Sequence, residues 1–186
     1  MAPGHAAIIL AAGASQRMGT PKALLEWHGS TLLDYAIEQA RAAGALHIVA
    51  VLGPATRALK LNATIVVNPD PETGRSASIR LGAIALDDSV DAMVIQSVDQ
   101  PVPASVLETL FAAEGDVVVP TYLGRRGHPV RCAGSLLREL REVTEADQGL
   151  RAVVRRHTVT EVPVDSESVI WNLNDPGAYA AAMAKQ

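Results

Sequence analysis

Aromatic residues and cysteines are scarce in this sequence. Its 186 residues include one phenylalanine, two tryptophans, three tyrosines and a single cysteine, Cys132. One cysteine cannot form a disulfide within the chain, which favours a reducing compartment. Because a free cysteine is usually buried, Cys132 is predicted to be a structural thiol rather than a catalytic nucleophile.

The sequence also lacks an excess of basic charge and any long apolar run. Its formal net charge is −4, which argues against general binding to nucleic acid or to a membrane surface. No apolar run is long enough to cross a bilayer, and no charged segment typical of a signal peptide precedes the short run 6–12. We therefore expect a cytoplasmic protein that binds neither nucleic acid nor membranes.

Aliphatic residues, by contrast, are plentiful enough to build a core. Hydrophobic residues make up 48% of the chain, and its length suits one domain spanning residues 1–186. Apolar runs typical of strands alternate with amphipathic helical patterns, and a hairpin-like stretch follows at 127–132. The expected strands lie near 7–10, 48–52, 65–67, 93–95, 116–119 and 158–162, and the helices near 31–43, 76–86, 103–113, 136–143, 149–157 and 176–183. The alternation predicts an α/β fold, a three-layer sandwich around a mostly parallel central sheet.

The loop after the first predicted strand contains features of a phosphate-binding loop. Its small residues let the backbone approach a ligand, and Arg17 and Lys22 supply two positive charges. The spacing of Gly13 and Gly19 fits neither the dinucleotide fingerprint nor the P-loop, because five residues separate them and Lys22 lies three residues beyond the second. The sequence therefore indicates a third kind of phosphate loop, the alternative being a solvated surface loop.

This loop closely resembles the signature Leu-Ala-Ala-Gly-x-Ser-x-Arg-Met-Gly-x-x-Lys of the molybdenum-cofactor nucleotidyltransferases. The resemblance implies a Rossmann-like fold of the nucleotide-diphospho-sugar transferase type, which binds CTP or GTP. It also implies that Arg17 and Lys22 are catalytic residues that hold the phosphates and stabilise departing pyrophosphate. The nucleotide-binding residues implied in this loop are Leu10, Ala11, Ala12, Gly13 and Ser15.

Two further segments match the nucleotide side of the same family pattern. Asn68, Gly74 and Ser78 resemble the segment that recognises the base, although Ser78 alone would also suit a helix N-cap. Asp99-Gln100-Pro101 is similar to the family's Asp-x-Pro motif, whose aspartate binds Mg²⁺. A carboxylate at the end of a strand suits this hard cation, and the alternative is a cap for the helix that Pro103 begins.

Two segments match the acceptor side of the pattern. Gly127-His128-Pro129 resembles the Gly-His-Pro of the cofactor-specific branch, so His128 is either an acceptor contact or a hydrogen-bonded structural residue. Asp147-Gln148-Gly149 followed by Arg151 matches Gly-Asp-x-Gly-x-Arg except that Ala146 replaces the first glycine. Asp147 is therefore either an acceptor-binding residue or the N-cap of the next helix.

The last segment departs from the family pattern. Asn172 and Asn174 stand where the family has two acids, and Asp175 either compensates or caps the final helix. An asparagine oxygen can ligate Mg²⁺ without adding charge, so Asn174 is predicted as a neutral metal ligand beside Asp99.

The resemblance as a whole implies Mg²⁺-dependent transfer of a nucleotide to a small phosphorylated acceptor such as molybdopterin cofactor. Ala12 favours the cytidylyltransferase branch, because the guanylyl branch typically has glycine there. A molybdoenzyme or its chaperone is a further expected partner. The alternatives are a nicotinamide-dependent reductase on the same scaffold and a non-catalytic nucleotide- or cofactor-binding module.

Overall fold

A mixed β-sheet forms the centre of the structure, a computed structural model that describes residues 4–13 and 19–185. The strands are β1 (Gly4–Ala11), β2 (Glu26–Trp27), β3 (Ser30–Thr31), β4 (Ala45–Leu52), β5 (Thr64–Val67), β6 (Val90–Ser97), β7 (Val117–Tyr122), β8 (Arg125–Arg126), β9 (Val130–Ala133) and β10 (Val159–Pro163). The main sheet has the order β10-β7-β9-β6-β1-β4-β5, β8 pairs with β7, and β2 with β3 forms a separate hairpin.

Parallel pairing dominates the part of the sheet around β1. This strand lies between β4 and β6, parallel to both, and β4 in turn pairs with β5 in parallel. The side chains of β1 from Ala6 to Ala11 are all buried, as expected for a strand covered on both faces. The predicted α/β fold with a mostly parallel sheet is confirmed.

The stretch predicted as a hairpin at 127–132 is organised differently. The tight hairpin lies earlier, between β7 and β8, and β9 inserts between β6 and β7 and runs antiparallel to both. The prediction was wrong because apolar residues of β9 show a buried strand but do not specify its partners. Since β6 and β7 both run antiparallel to β9, their carboxyl ends lie at the same edge of the sheet.

Helices cover both faces of the sheet and complete the two outer layers. They are α1 (Leu32–Ala42), α2 (Arg75–Ile84), α3 (Ala104–Ala112), α4 (Leu137–Leu140), α5 (Leu150–Arg156) and α6 (Pro176–Met183). Helices α1, α3 and α6 contribute to the core on one face, whereas α2, α4 and α5 contribute to the core on the other. No helix within the described residues is long and apolar enough to cross a membrane.

Local signals placed most helix ends correctly. Thr31 caps α1 by accepting a hydrogen bond from the Asp34 amide, and Gly44 follows the helix with a φ of +88°, a backbone conformation that glycine adopts without strain. The helix predicted at 136–143 is shorter than expected. It consists of a 3₁₀ turn, Gly134–Leu136, followed by the single-turn helix α4.

Cys132 lies on β9 and is fully buried. Burial in the protein interior raises the pKa of its thiol to about 12, so the reactive thiolate is not populated near neutral pH. The prediction of a buried structural cysteine is therefore confirmed.

Helix α2 packs unusually close to β1 at Gly82. A Cβ built on Gly82 would lie 2.4 Å from Cγ2 of Ile8, whose side chain is fully buried. Ile8 is β-branched and held by its neighbours on both sides, so this contact has little freedom to relax. Glycine at position 82 thus sets the distance between α2 and the sheet.

Replacing Gly82 by alanine is expected to destabilise the protein, although alanine is the better helix former. Helix propensity alone would favour the variant by about 0.5–1 kcal/mol, whereas overpacking costs about 1–3 kcal/mol. Urea denaturation of Gly82→Ala, Ile8→Ala and the double variant measures the free energy of unfolding of each protein. A gain in stability on adding Gly82→Ala to the wild type would contradict the packing, whereas a gain only in the Ile8→Ala background is the expected result.

Candidate active site

The candidate site begins where β1 and β6 end. Beyond the last pairing of these strands, the Val98 amide donates a hydrogen bond of 3.0 Å to the Leu10 carbonyl. This bond fixes the start of the Gly-rich loop beside the segment that carries Asp99. Ligands of α/β sheets bind at this carboxyl edge of the strands.

Lys22 joins the loop to two distant parts of the chain. It begins a 3₁₀ turn after Pro21, and its ammonium donates hydrogen bonds of 2.6 Å to Asp99 Oδ2 and 2.6 Å to Asn174 Oδ1. The Lys22 and Asp99 side chains are 14% and 15% exposed, so bulk water screens their attraction only partly. The predicted catalytic and metal-binding residues Lys22, Asp99 and Asn174 therefore meet at one point.

Backbone contacts hold the C-terminal segment against Asp99. The Leu173 amide donates to the Asp99 carbonyl over 2.9 Å. Asn174 follows directly, and Asp175 then caps α6 by accepting from the Ala178 amide. Of the two asparagines that replace family acids, Asn174 contacts Lys22 and Asn172 is exposed. Asp175 is the helix cap, which was one of its two predicted roles.

A cluster of aromatic residues supports both ends of this arrangement, and sequence reasoning missed it. Trp27 is 2% exposed and contacts the rings of Tyr35, Trp171 and Tyr179 with centroid distances of 6.2–6.4 Å. The Tyr179 hydroxyl also donates to the Glu26 carbonyl. Trp27 lies soon after Lys22 in the chain, and Trp171 lies just before Asn174. The cluster therefore fixes the two segments relative to each other.

The side chains of Leu10, Ala11 and Ala12 are all buried. The backbone of this segment is therefore the part that can contact a ligand. Gly53, at the end of β4, lies against this segment, and a Cβ there would be 2.4 Å from the Ala12 carbonyl oxygen. Gly13 is exposed at the start of the loop. The predicted site residues Ser15 and Arg17 lie outside the described residues.

The segment predicted to recognise the base is built around two buried polar side chains. Asn68 Nδ2 donates to Ser78 Oγ over 3.0 Å, and Asn68 Oδ1 accepts from the Asp70 amide. Ser78 lies inside α2 and does not cap it, because Gly74 is the N-cap residue with a φ of +109°. These side chains bond to each other and to the Asp70 backbone. The backbone groups of the segment are therefore better suited than these side chains to contact a base.

The start of α2 packs against the segment predicted to bind the acceptor. Glu145 Oε1 accepts from the Ser76 amide over 2.6 Å, and Gly149 lies against the Ser76 hydroxyl. Asp147 is exposed and accepts a hydrogen bond from the Thr144 hydroxyl. It therefore does not cap α5, whose N-cap position is Gly149 and has no side-chain bond.

His128 lies within electrostatic range of three charged residues from different segments, Arg75, Asp99 and Arg151. Burial is the main cause that lowers its pKa, Arg75 and Arg151 lower it further, and Asp99 raises it. Its Nδ1 is buried without a hydrogen-bond partner among the described residues. Partial desolvation also lowers the pKa of Arg75, which keeps an exposed surface, while Asp99 and Glu145 raise it. Arg75 was not predicted as a site residue, because a lone arginine at a helix start gives no sequence signal.

With this geometry in place, similarity to known proteins decides the family. Residues 7–162 match the MobA-like NTP transferase domain. The chain belongs to this family.

Several known proteins are similar to this chain over most of its length. Nicotine blue oxidoreductase of Paenarthrobacter nicotinovorans is 31% identical over 166 residues, 80% of each protein. The molybdenum cofactor cytidylyltransferase of Escherichia coli is 26% identical over 186 residues, which are 94% of this chain and 93% of that enzyme. The crystal structure of Rv0371c from Mycobacterium tuberculosis is 28% identical and superposes with a TM-score of 0.85 over 99% of this chain and 100% of its own. The predicted nucleotidyltransferase class and molybdenum-cofactor resemblance are confirmed at the level of the family.

The oxygens around Lys22 fit a divalent metal ion of the kind that this family uses. Asp99 Oδ2 and Asn174 Oδ1 already converge on one cation, the Lys22 ammonium. Mg²⁺ prefers such hard oxygen donors and commonly takes one or two carboxylates together with substrate phosphates and water. Within the described part of the chain no group of three or more His, Cys, Asp or Glu residues is arranged for a metal. One carboxylate and one amide oxygen are a donor set that suits a cation shared with a phosphate ligand. Rv0371c has been solved in complex with manganese.

Arg75 lowers the pKa of His128 and Asp99 raises it, so removing each charge should shift this pKa in opposite directions. An NMR titration of its imidazole should give a pKa below the ordinary value of 6.5. Arg75→Gln should raise this pKa because a positive charge is removed, and Asp99→Asn should lower it because a negative charge is removed. The exposed Lys60→Gln serves as control and should leave it unchanged. Shifts of the same sign in the Arg75 and Asp99 variants would show that these two charges do not both act on His128.

Proposed function

We propose that this protein transfers CMP from CTP to a phosphorylated acceptor such as molybdopterin cofactor and releases pyrophosphate, with Mg²⁺ as cofactor, in the cytoplasm. The observation that carries the proposal is the convergence of Lys22, Asp99 and Asn174 at the end of β1, with both hydrogen bonds at 2.6 Å. Cation, carboxylate and neutral oxygen donor are the groups that a metal-bound triphosphate requires. The whole chain, residues 1–186, would act as one nucleotidyltransferase domain.

The choice of CTP rests on the loop and on the relatives. Ala12 occupies the position where the guanylyl branch typically has glycine. The cytidylyltransferase of Escherichia coli aligns with 94% of this chain at 26% identity, whereas the guanylyltransferase of Xanthomonas euvesicatoria pv. vesicatoria matches over 23% of it at 52% identity. We assign the backbone of Leu10, Ala11, Ala12 and Gly13, together with Ser15, to the base and sugar. The backbone between Asn68 and Ser78, including Gly74, would read the base edge.

In the proposed reaction an oxygen of the acceptor phosphate attacks the α-phosphorus of CTP. The bond between the α-phosphorus and its bridging oxygen breaks, and pyrophosphate leaves with the bonding electrons. The acceptor oxygen is already anionic, so no strong protein base is needed, and positioning and charge neutralisation carry the catalysis. Mg²⁺ held by Asp99 and Asn174 would neutralise charge on the phosphate oxygens.

Lys22 and Arg17 would neutralise the remaining charge on the triphosphate. The Lys22 ammonium is bonded to Asp99 and Asn174, and we propose that it turns towards the phosphates when the substrate binds. His128 lies where burial and two arginines favour its neutral imidazole, so it would contact the acceptor as a hydrogen-bonding group rather than as a cation. Asp147 is exposed, as is Arg151, and would contact the acceptor.

Removing either central charge should abolish most turnover without unfolding the protein. Lys22→Ala and Asp99→Ala are each expected to cost about 2–4 kcal/mol of transition-state stabilisation, an ordinary value for groups that neutralise developing charge. The measurement is pyrophosphate release from CTP with molybdopterin cofactor as acceptor. The exposed Lys60→Ala provides a matched control for loss of positive charge. Full Mg²⁺-dependent activity in Asp99→Ala would overturn the metal assignment.

A second candidate activity is a nicotinamide-dependent reduction. It is favoured by the 31% identity with nicotine blue oxidoreductase and by the asparagines that replace two family acids. Assaying NADH oxidation in parallel with pyrophosphate release separates the two activities. We expect pyrophosphate from CTP and no NADH turnover. NADH oxidation with no pyrophosphate from any triphosphate would replace the proposed function.

A further inference from the structure

A polar side chain is buried in the strand that delivers Asp99. Gln96 lies near the end of β6, is fully buried, and pairs in register with Ile9 of β1. The preceding strand residues Met93, Val94 and Ile95 are apolar and fully buried. An amide at such a position needs hydrogen bonds that an aliphatic side chain would not require.

The Gln96 amide makes one bond, and that bond reaches the site. Its Nε2 donates to the Gln100 carbonyl over 3.2 Å, whereas its Oε1 is buried without a partner among the described residues. The orientation is determined by chemistry, since only the NH₂ group can donate to a carbonyl. The Gln96 side chain therefore links the core of the sheet to the backbone of Gln100.

This bond completes the support of the residues on both sides of Asp99. The Val98 amide donates to Leu10, the Asp99 carbonyl accepts from Leu173, and the Gln100 amide donates to Ser97 over 3.0 Å. The Gln100 carbonyl is the next group along the chain, and Gln96 holds it from within the core. The backbone that carries the Asp99 carboxylate is thus fixed before, at and after that residue.

We propose that Gln96 is a positioning residue that keeps the Asp99 carboxylate directed at the point shared by Lys22 and Asn174. The inference rests on the proposed metal role of Asp99. It adds that the Gln96 side-chain amide holds the backbone next to Asp99 in place. Replacing this amide by an apolar side chain removes the buried Oε1 and also takes the donor from the buried Gln100 carbonyl, so the two effects on the free energy of unfolding oppose each other and the bond adds little net stability. Its benefit is the geometry of the site, where misplacement of a metal ligand weakens binding.

The test uses a substitution that keeps the shape of the side chain and removes the amide. Gln96→Met and Gln96→Leu should fold and melt close to the wild-type temperature, because loss of the bond to the Gln100 carbonyl is offset by removal of the buried Oε1. Both should bind Mn²⁺ about 10–100-fold more weakly than the wild type, the usual effect of removing a group that supports a metal ligand. Isothermal titration with Mn²⁺ in the presence of α,β-methylene-CTP measures the affinity, and thermal unfolding measures the stability. The Mg²⁺ concentration for half-maximal pyrophosphate release should rise by a similar factor.

Two reference variants separate the possible outcomes. Val94→Ala, on the same strand and two residues before Gln96, should lower the melting temperature and leave Mn²⁺ affinity unchanged. Asp99→Asn should lose Mn²⁺ binding. If Gln96→Met binds Mn²⁺ as the wild type does while Asp99→Asn fails to bind it, the positioning role is wrong and the metal assignment stands. If Asp99→Asn also binds Mn²⁺ normally, the proposed function itself fails.

Loss of folding would also be decisive. If both Gln96→Met and Gln96→Leu were insoluble or melted well below the wild type, the amide would be a requirement of the fold. That result would overturn the inference, because a residue retained for positioning alone should be replaceable by an apolar side chain of similar size.

Discussion

The candidate site depends on one interaction, the Lys22 ammonium held between Asp99 and Asn174. The three residues come from the start, the middle and the end of the chain, and both bonds are 2.6 Å long. An ammonium that is largely shielded from water requires such partners, since an unpaired buried charge is costly. The pairing therefore fixes Lys22, the segment after β6 and the C-terminal segment relative to one another.

The same interaction explains why an asparagine at position 174 is compatible with the site. A second carboxylate at position 174 would add negative charge, whereas the asparagine provides an oxygen donor and leaves Asp99 as the anionic partner. The lower negative charge of the site weakens its attraction for a free cation and reduces its repulsion of a phosphate ligand. The site is therefore suited to a metal ion that arrives with its triphosphate.

The aromatic cluster gives the arrangement its rigidity. Trp27 of the β2–β3 hairpin contacts Trp171 in the segment before α6 and Tyr179 within α6. Such ring pairs add about 0.5–1.5 kcal/mol each beyond the burial of area. Most of the few aromatic residues in the chain are thus concentrated where two segments must be held in place. The scarcity of aromatics elsewhere agrees with an aliphatic core on both faces of the sheet.

Sequence patterns predicted which segments form helices and strands, but they did not predict which strands pair with each other. Strand–helix alternation predicted the fold, and Thr31 and Gly44 marked both ends of α1, because capping is a local interaction. The antiparallel insertion of β9 was missed, since pairing depends on contacts between distant residues. At the site, motif residues identified Lys22, Asp99 and Asn174. Gln96, Gly53 and Trp27 carry no motif and act through packing that only three-dimensional structure reveals.

Stabilisation by nucleotides tests the central claim most directly. A ligand that binds only the folded protein raises its melting temperature by mass action. Thermal unfolding with CTP, GTP, UTP, ATP and NADH, each with and without Mg²⁺, compares the candidates under one condition. We predict that CTP with Mg²⁺ gives the largest increase and that Asp99→Ala removes its Mg²⁺ dependence. Stabilisation by NADH alone, or by CTP to the same extent without Mg²⁺, would contradict a site built for a metal-bound triphosphate.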